Sequence, residues 1–169
     1  MNISDKTDKS NNHKRINEIY LDNAATTYTD ERVIEEMLNY MSMNGTYGNP
    51  GSFNSIGLRA QRALDDARKR AAKLLGCSDS EIIFTGSGTE SINLAIQGVA
   101  RAYQNGKKKH LITSKVEHKA VLETCEFLET QGFKITYLDV DEYGLVNPEK
   151  LRKAITDETF LITIMYSNN

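Results

Sequence analysis

A glycine-rich connection between an apolar run and an amphipathic run is the first place where the residue types could do chemistry. It reads Phe84-Thr85-Gly86-Ser87-Gly88-Thr89-Glu90-Ser91. Where such a loop enters a helix, unpaired backbone N–H groups and the helix dipole favour an anion, and glycine permits close approach. The segment therefore fits a phosphate cradle. The alternative is an ordinary strand-to-helix connection with a threonine cap.

The same connection differs from the fingerprint of a dinucleotide site. Ser91 stands where that fingerprint requires its third glycine. The next predicted strand also ends in Thr113-Ser114-Lys115, not in the acidic residue that binds a ribose. A nicotinamide dinucleotide is therefore disfavoured.

The second candidate is His118, in the segment that follows the next predicted strand. That segment should lie on the same carboxyl edge of the sheet as the glycine-rich connection, which is where open α/β sheets bind ligands. A neutral imidazole there can stack on an aromatic cofactor and move a proton. The alternative is a capping or surface histidine, with Lys115 and Lys119 as solvated charges.

Alternating strands and helices must position both candidates. Two helices are expected before the glycine-rich connection, over residues 30–43 and 57–75. Strands are then expected at 81–85, 110–113, 134–140 and 159–165, with helices at 89–104, 119–130 and 148–155. This order predicts an α/β fold with a mainly parallel sheet flanked by helices.

The pattern divides the chain into three parts. Residues 1–18 are polar, lack the apolar core of a secretory signal, and are expected to be a disordered tail. Residues 19–56 hold a turn, a helix and a glycine-rich loop. Residues 57–169 form the first part of a large domain, which we expect to be incomplete because it ends directly after a strand. The first helix should present one apolar face, formed by Val33, Met37, Leu38 and Met41.

Composition narrows the class of partner. The chain has 21 basic and 23 acidic residues, which gives no electrostatic reason to expect binding to nucleic acid or to a membrane surface. No apolar run approaches the roughly 18 residues that a membrane-spanning helix requires. Cys77 and Cys125 form neither a metal-ligand pattern nor a disulfide framework, as is typical of a reducing compartment. We expect a soluble cytoplasmic protein with a small-molecule ligand and no metal site.

Five motifs resemble those of the cysteine desulfurases, in that family's order and near its spacings. They are Tyr20-Leu21-Asp22-Asn23-Ala24-Ala25-Thr26-Thr27, Gly48-Asn49-Pro50, the run from Thr85 to Ala95, Glu117-His118-Lys119-Ala120-Val121, and Asn168-Asn169. The fourth motif resembles the branch that serves nitrogen fixation and general iron–sulfur cluster assembly, not the branch with the selenocysteine lyases. One departure is Gly86-Ser87-Gly88, where the family more often has Ser-Gly-Ala.

The resemblance implies the large domain of the aspartate-aminotransferase-like (type I) fold, a homodimer, and pyridoxal 5'-phosphate as cofactor. It implies that Gly88 and Thr89 hold the cofactor phosphate. It also implies that His118 stacks on the pyridine ring as the catalytic residue for proton transfer. Asn169 would reach the phenolic oxygen, with Asn168 as its structural neighbour. The implied reaction takes sulfur from L-cysteine and leaves L-alanine and an enzyme persulfide, which passes to a sulfur-acceptor or iron–sulfur scaffold protein.

Other parts of the family's chemistry have no counterpart in this sequence. They are the aspartate that pairs with the ring nitrogen, the glutamine beside it, the lysine that binds the cofactor covalently, and the loop cysteine that accepts sulfur. Neither Cys77 nor Cys125 matches that cysteine. The chain is therefore expected to be an N-terminal fragment that is inactive alone. The alternatives are another class V aminotransferase or lyase, and a non-catalytic remnant that retains a phosphate site.

Overall fold

A computed structural model describes residues 19–168 of the chain. The predicted tail, 1–18, and the predicted cofactor residue Asn169 lie outside the described residues. The chain divides into two compact units, and the division falls between Asp65 and Asp66, inside one helix.

All the predicted helices form, and so do three of the four predicted strands. The helices are α1 (Glu31–Met41), α2 (Ser55–Leu75), α3 (Gly88–Tyr103), α4 (Lys119–Thr130) and α5 (Pro148–Ala154). The strands are β1 (His110–Ser114), β2 (Lys134–Leu138) and β3 (Thr159–Ile162). A short 3-10 helix covers Asp79–Glu81.

In the first unit, Asp30 begins α1. Its carboxylate accepts a hydrogen bond from the Arg32 backbone N–H at 2.9 Å. Hydrogen bonds from the Arg32 side chain and backbone lower the pKa of Asp30. The predicted apolar face of α1 is present, but no residue of the helix is buried, and Leu38 and Met41 are 58% and 73% exposed. The periodicity therefore predicted the helix but not the exposure of its apolar face.

The glycine-rich loop after α1 leads into α2 through Asn54, whose Oδ1 accepts a hydrogen bond from the Gly57 N–H at 2.8 Å. Gly48 is required in this loop because its φ is +141°, and because a Cβ there would lie 2.8 Å from Ile56 Cγ2. At its other end α2 stops at Gly76, whose φ of +68° is the left-handed conformation that terminates many helices.

The predicted strand at residues 81–85 is wrong. Glu81 ends the 3-10 helix, and residues 82–85 have no regular structure. A strand exists only when a neighbour completes its hydrogen bonds, and none of the described strands pairs with this segment. Arg68 of α2 instead donates to the Ile82 carbonyl, and its guanidinium lies 5.1 Å from the Phe84 ring centre. Apolar composition alone could not supply the missing pairing.

The sheet has the order β2-β1-β3, and β1 runs parallel to both neighbours. All five residues of β1 are buried. The connections β1-α4-β2 and β2-α5-β3 run across the sheet in opposite directions, so their right-handed crossovers place α4 and α5 on opposite faces. This arrangement confirms the predicted parallel sheet flanked by helices.

The apolar core lies between the sheet and the α3–α4 pair. It consists of Ile96, Ala100, Leu111, Val121, Cys125, Leu128 and Phe133. Side chains alternate along a strand, so Thr113 faces the same side as Leu111. The Thr113 hydroxyl is buried and has no hydrogen-bond partner among residues 19–168.

His110 is buried at the start of β1, where its ring joins the three strands. Nδ1 lies 2.9 Å from Thr159 Oγ1 in β3, and Nε2 lies 2.8 Å from Thr136 Oγ1 in β2. Burial lowers the pKa of His110, Lys134 lowers it further, and Glu158 acts in the opposite direction. The neutral ring is therefore the form that the folded sheet favours.

We expect His110 to make stability depend on pH. Its pKa in the folded state lies below the ordinary value of about 6.5, so the unfolded chain binds more protons once the pH falls below that value. The contribution of His110 to the free energy of unfolding should be constant above about pH 6.5 and should decrease below it. His110→Gln retains hydrogen-bonding groups but cannot titrate. The free energy of unfolding, measured with urea at several pH values in this range, should decrease less steeply with falling pH in the variant than in the parent protein. Equal pH dependence in both proteins would contradict the prediction.

Candidate functional site

The glycine-rich connection forms the N-terminus of α3. Ser87 is the N-cap, and its Oγ accepts a hydrogen bond from the Glu90 N–H at 3.1 Å. Thr85 Oγ1 lies 2.6 Å from Ser91 Oγ, which closes the turn across the start of the helix. The connection is thus a capped helix start, as the alternative predicted, but the capping residue is Ser87 and not a threonine.

Two backbone N–H groups at this helix start are available to a ligand. Within residues 19–168, the N–H groups of Gly88 and Thr89 have no hydrogen-bond acceptor. A Cβ placed on Gly88 would meet no atom within 4 Å, so the approach to both groups is open. The Glu90 carboxylate accepts a hydrogen bond from the Gly86 N–H at 2.7 Å, so this N–H group is not available to a ligand. This arrangement suits a phosphate group.

His118 is the N-cap of α4. Its Nδ1 accepts a hydrogen bond from the Ala120 N–H at 3.1 Å. A neutral imidazole that accepts at Nδ1 carries its proton on Nε2, so the cap fixes both the tautomer and the ring orientation. The side chain is exposed. The capping alternative is therefore correct, and it leaves the Nε2–H group facing outward for a second role.

The lysines beside His118 form surface ion pairs. Lys115 Nζ lies 2.6 Å from Asp139 Oδ1, and Lys119 Nζ lies 3.4 Å from Glu123 Oε1. The hydrogen bond and charge of Lys115 lower the pKa of Asp139. All four side chains are more than half exposed, so these pairs are solvated charges, as the alternative reading predicted.

The two candidate segments meet at one end of the α3–α4 pair. A cavity of about 240 Å³ separates the helices and is lined by Thr89, Asn93 and Gln97 of α3 and by Ala120, Glu123, Thr124 and Phe127 of α4. A second cavity is lined by the later residues of both helices, from Gln97 to Gln104 and from Phe127 to Gln131, so the helices run parallel with their N-termini at the same end. Two positive helix ends therefore point the same way, beside Gly88, Thr89 and His118.

Glu117 is a residue of this region to which sequence reasoning gave no role. It is buried, and its Oε1 accepts hydrogen bonds from Ser114 Oγ and from the Met165 N–H, both at 2.8 Å. Asn168 Nδ2 donates to the Val116 carbonyl at 2.7 Å. These bonds join the loop before His118 to the segment after β3, which leads to Asn169. An acidic side chain ordinarily predicts exposure, so only the position of Glu117 next to His118 marked it.

A larger cavity lies beyond the carboxyl ends of β1 and β3. Its volume is about 680 Å³, and it is lined by Ser114, Val116 and the segments 143–146 and 164–168. This volume is within the range of small-molecule sites, and the position is the edge where α/β sheets bind ligands. In the part of the chain that the structure describes, no group of His, Cys, Asp and Glu could hold a metal ion. No helix there is long and apolar enough to cross a membrane.

The two cysteines differ in environment. Cys125 has no exposed surface and belongs to the apolar core. Burial, with the charges of Glu129, Glu117 and Glu126, raises the pKa of Cys125 to about 11. Cys77 is half-buried. Cys125 is therefore a small buried thiol, which remains protonated and unreactive at neutral pH.

Comparison with protein families decides the relationship. The model of the family described as aminotransferase class-V matches residues 19–169. The chain belongs to this family. The curated cysteine desulfurase IscS of Methanosarcina thermophila is 53% identical over 151 residues, which cover 89% of this chain and 37% of that protein. The predicted resemblance is thereby confirmed.

Solved structures give the same relationship for the fold. A NifS-like protein superimposes with a TM-score of 0.82 at 44% identity, covering 86% of this chain and 39% of its own. A structure titled SspA in complex with cysteine gives 0.77 at 42% identity, covering 83% and 40%. The predicted fold class is confirmed. This class V aminotransferase chain spans less than half the length of the relatives it matches.

Replacing Glu117 should reveal how strongly it holds the two loops together. In Glu117→Ala the Ser114 hydroxyl and the Met165 N–H lose their acceptor, and each buried donor left unpaired costs about 1–3 kcal/mol. Glu117→Gln keeps an acceptor oxygen in the same place and should lose less. Urea unfolding of both variants measures the difference. If the two variants were equally stable, the hydrogen bonds would not be what Glu117 contributes.

Proposed function

We propose that the chain acts as part of a cysteine desulfurase. The observation that carries the proposal is the pair of parallel helix starts, where the open N–H groups of Gly88 and Thr89 lie at the same end as His118. The names of the relatives support the same activity. Because the chain spans 37% of such a relative, the activity is proposed for a polypeptide of the relatives' length.

In this proposal the start of α3 binds the phosphate of pyridoxal 5'-phosphate. The N–H groups of Gly88 and Thr89 donate to phosphate oxygens, and the missing side chain of Gly88 admits them. Glu90 stays bound to Gly86 and does not compete for the same donors. When bound, the cofactor supplies an electron sink for bond cleavage in an amino acid.

With the cofactor bound, His118 would stack on its ring and would move a proton. Its Nδ1 stays engaged with the Ala120 N–H, so Nε2 is the atom that exchanges the proton. Glu117 and Asn168 hold the loop on which the ring is mounted. Asn169, which follows Asn168 directly in the sequence, is the residue that would contact the phenolic oxygen of the cofactor.

The proposed reaction converts L-cysteine and an enzyme thiol into L-alanine and an enzyme persulfide. The carbon–sulfur bond of the substrate breaks, a sulfur–sulfur bond forms, and a proton replaces sulfur on the carbon. The sulfur-accepting thiol belongs to the remainder of such a polypeptide, because Cys125 is enclosed in the core and Cys77 does not match the family's loop cysteine. The enzyme works as a cytoplasmic homodimer and passes sulfur to an acceptor or to an iron–sulfur scaffold protein.

Product analysis tests the proposed reaction. The full reading frame that contains this sequence is expressed, supplied with pyridoxal phosphate, and given L-cysteine and dithiothreitol. Equal amounts of L-alanine and sulfide are expected, and neither should form without the cofactor. Transfer of the amino group to an added 2-oxo acid, with no sulfide, would instead assign an aminotransferase. No turnover of cysteine by the loaded protein would contradict the proposal.

A second test addresses His118. Asparagine is a good helix cap but cannot transfer a proton in this way, so His118→Asn separates the two roles of the residue. We expect the variant to retain its thermal transition and its cofactor, and to form alanine about 100-fold more slowly. His118→Ala, which also loses the cap, should be less stable as well. A rate equal to that of the parent protein in His118→Asn would remove His118 from the chemistry.

A further inference from the structure

A hydrogen-bonded bridge connects α3 to α4 one turn beyond their N-termini. Thr124 Oγ1 of α4 lies 2.8 Å from Asn93 Oδ1 of α3 and donates to it. Asn93 Oδ1 also accepts from Gln97 Nε2 at 2.8 Å. Among residues 19–168 no other side-chain hydrogen bond joins the two helices, and the core residues through which they pack are apolar.

Each member of the bridge also holds the first turn of its own helix. Asn93 Nδ2 donates to the Thr89 carbonyl at 3.0 Å, and the Thr124 hydroxyl lies 2.7 Å from the Ala120 carbonyl, which shares its proton. The Ala120 N–H in turn binds the His118 ring. A series of polar contacts that passes through the backbone of Ala120 therefore leads from the Thr89 carbonyl to the His118 imidazole.

The bridge supplies a directional constraint that the apolar contacts lack. Apolar packing is largely non-directional, so on its own it permits small sliding and rotation of one helix along the other. A hydrogen bond requires a narrow range of distance and angle. Thr124 is only 3% exposed, and its branched side chain has few rotamers, so the direction of the bond is fixed at the Thr124 end, while the Asn93 end lies on the cavity between the helices.

We propose that the Asn93–Thr124 bridge is a positioning element that sets the register between the phosphate-binding turn and His118. The inference rests on the proposed function, because that function requires the two groups to contact one cofactor. Neither Asn93 nor Thr124 needs to touch the cofactor. Their role is to keep the Thr89 peptide and the His118 ring at a fixed separation, so that one rigid molecule can engage both.

Three substitutions in the full reading frame that contains this sequence separate positioning from general stability. Thr124→Val removes the donor with little change of shape, whereas Thr124→Ser keeps the hydroxyl. Thr113→Val makes the same chemical change at a buried threonine that has no partner among the described residues. The measurements are the dissociation constant for pyridoxal phosphate, the thermal transition, and the ring resonances of His118 in the cofactor-free protein.

At a temperature well below its thermal transition, Thr124→Val is expected to bind the cofactor about tenfold more weakly than the parent protein. The His118 resonances are expected to shift. Thr124→Ser and Thr113→Val should stay within about twofold of the parent protein and leave those resonances in place. Asn93→Ala combined with Thr124→Val should be no worse than the stronger single change, because both remove the same bond. This non-additivity is not expected of two independent structural defects.

The proposal is overturned if Thr124→Val leaves the His118 resonances unchanged, or if Thr113→Val shifts them equally. Those readouts do not need catalysis. Failure of the proposed function has a different signature, since the parent protein would then form no alanine from cysteine. The two hypotheses can therefore fail separately.

Discussion

Hydrogen bonding on both sides of β1 is the constraint on which the second unit depends. The strand pairs in continuous register with β2 and, after one irregularity between His110 and Leu111, with β3, and all five of its residues are buried. Because hydrogen bonds hold the strand on both sides, the point at which Ser114 leaves the sheet is fixed, and so is the start of α4 at Lys119, five residues later. α3 then packs along α4, and Leu111 of the strand lies in the core that they share. The middle strand, β1, thus determines where α4, α3 and the candidate site lie.

The sequence predicted well those features that local signals determine. The bounds of α4 agree because a cap precedes Lys119 and Gly132 follows with a φ of +85°. α5 begins at Pro148, and the Asn147 side chain caps it. Gly88, Thr89 and His118 were predicted from the glycine-rich connection, the histidine and the family resemblance, and all three lie at helix starts.

Features that depend on distant partners could not be predicted. Residues 82–85 are apolar enough for a strand, but pairing depends on a neighbour that local sequence does not specify. Glu117 is buried only because the Met165 N–H, 48 residues away, reaches its carboxylate. The bond between Asn93 and Thr124 likewise needs two helices to be packed before it exists. The amphipathic pattern of α1 gave the helix but could not indicate how much of its apolar face is exposed.

The environment of Cys125 has a consequence for oxidation. The chain has two cysteines, and disulfide formation requires a thiolate that can reach its partner. Cys125 offers neither, because it has no exposed surface and its thiol holds its proton with a pKa raised to about 11. A covalent dimer formed in air by folded copies of this chain therefore runs through Cys77 on both sides. Oxidation would then join molecules at the end of α2 and leave the sheet and its core unmodified.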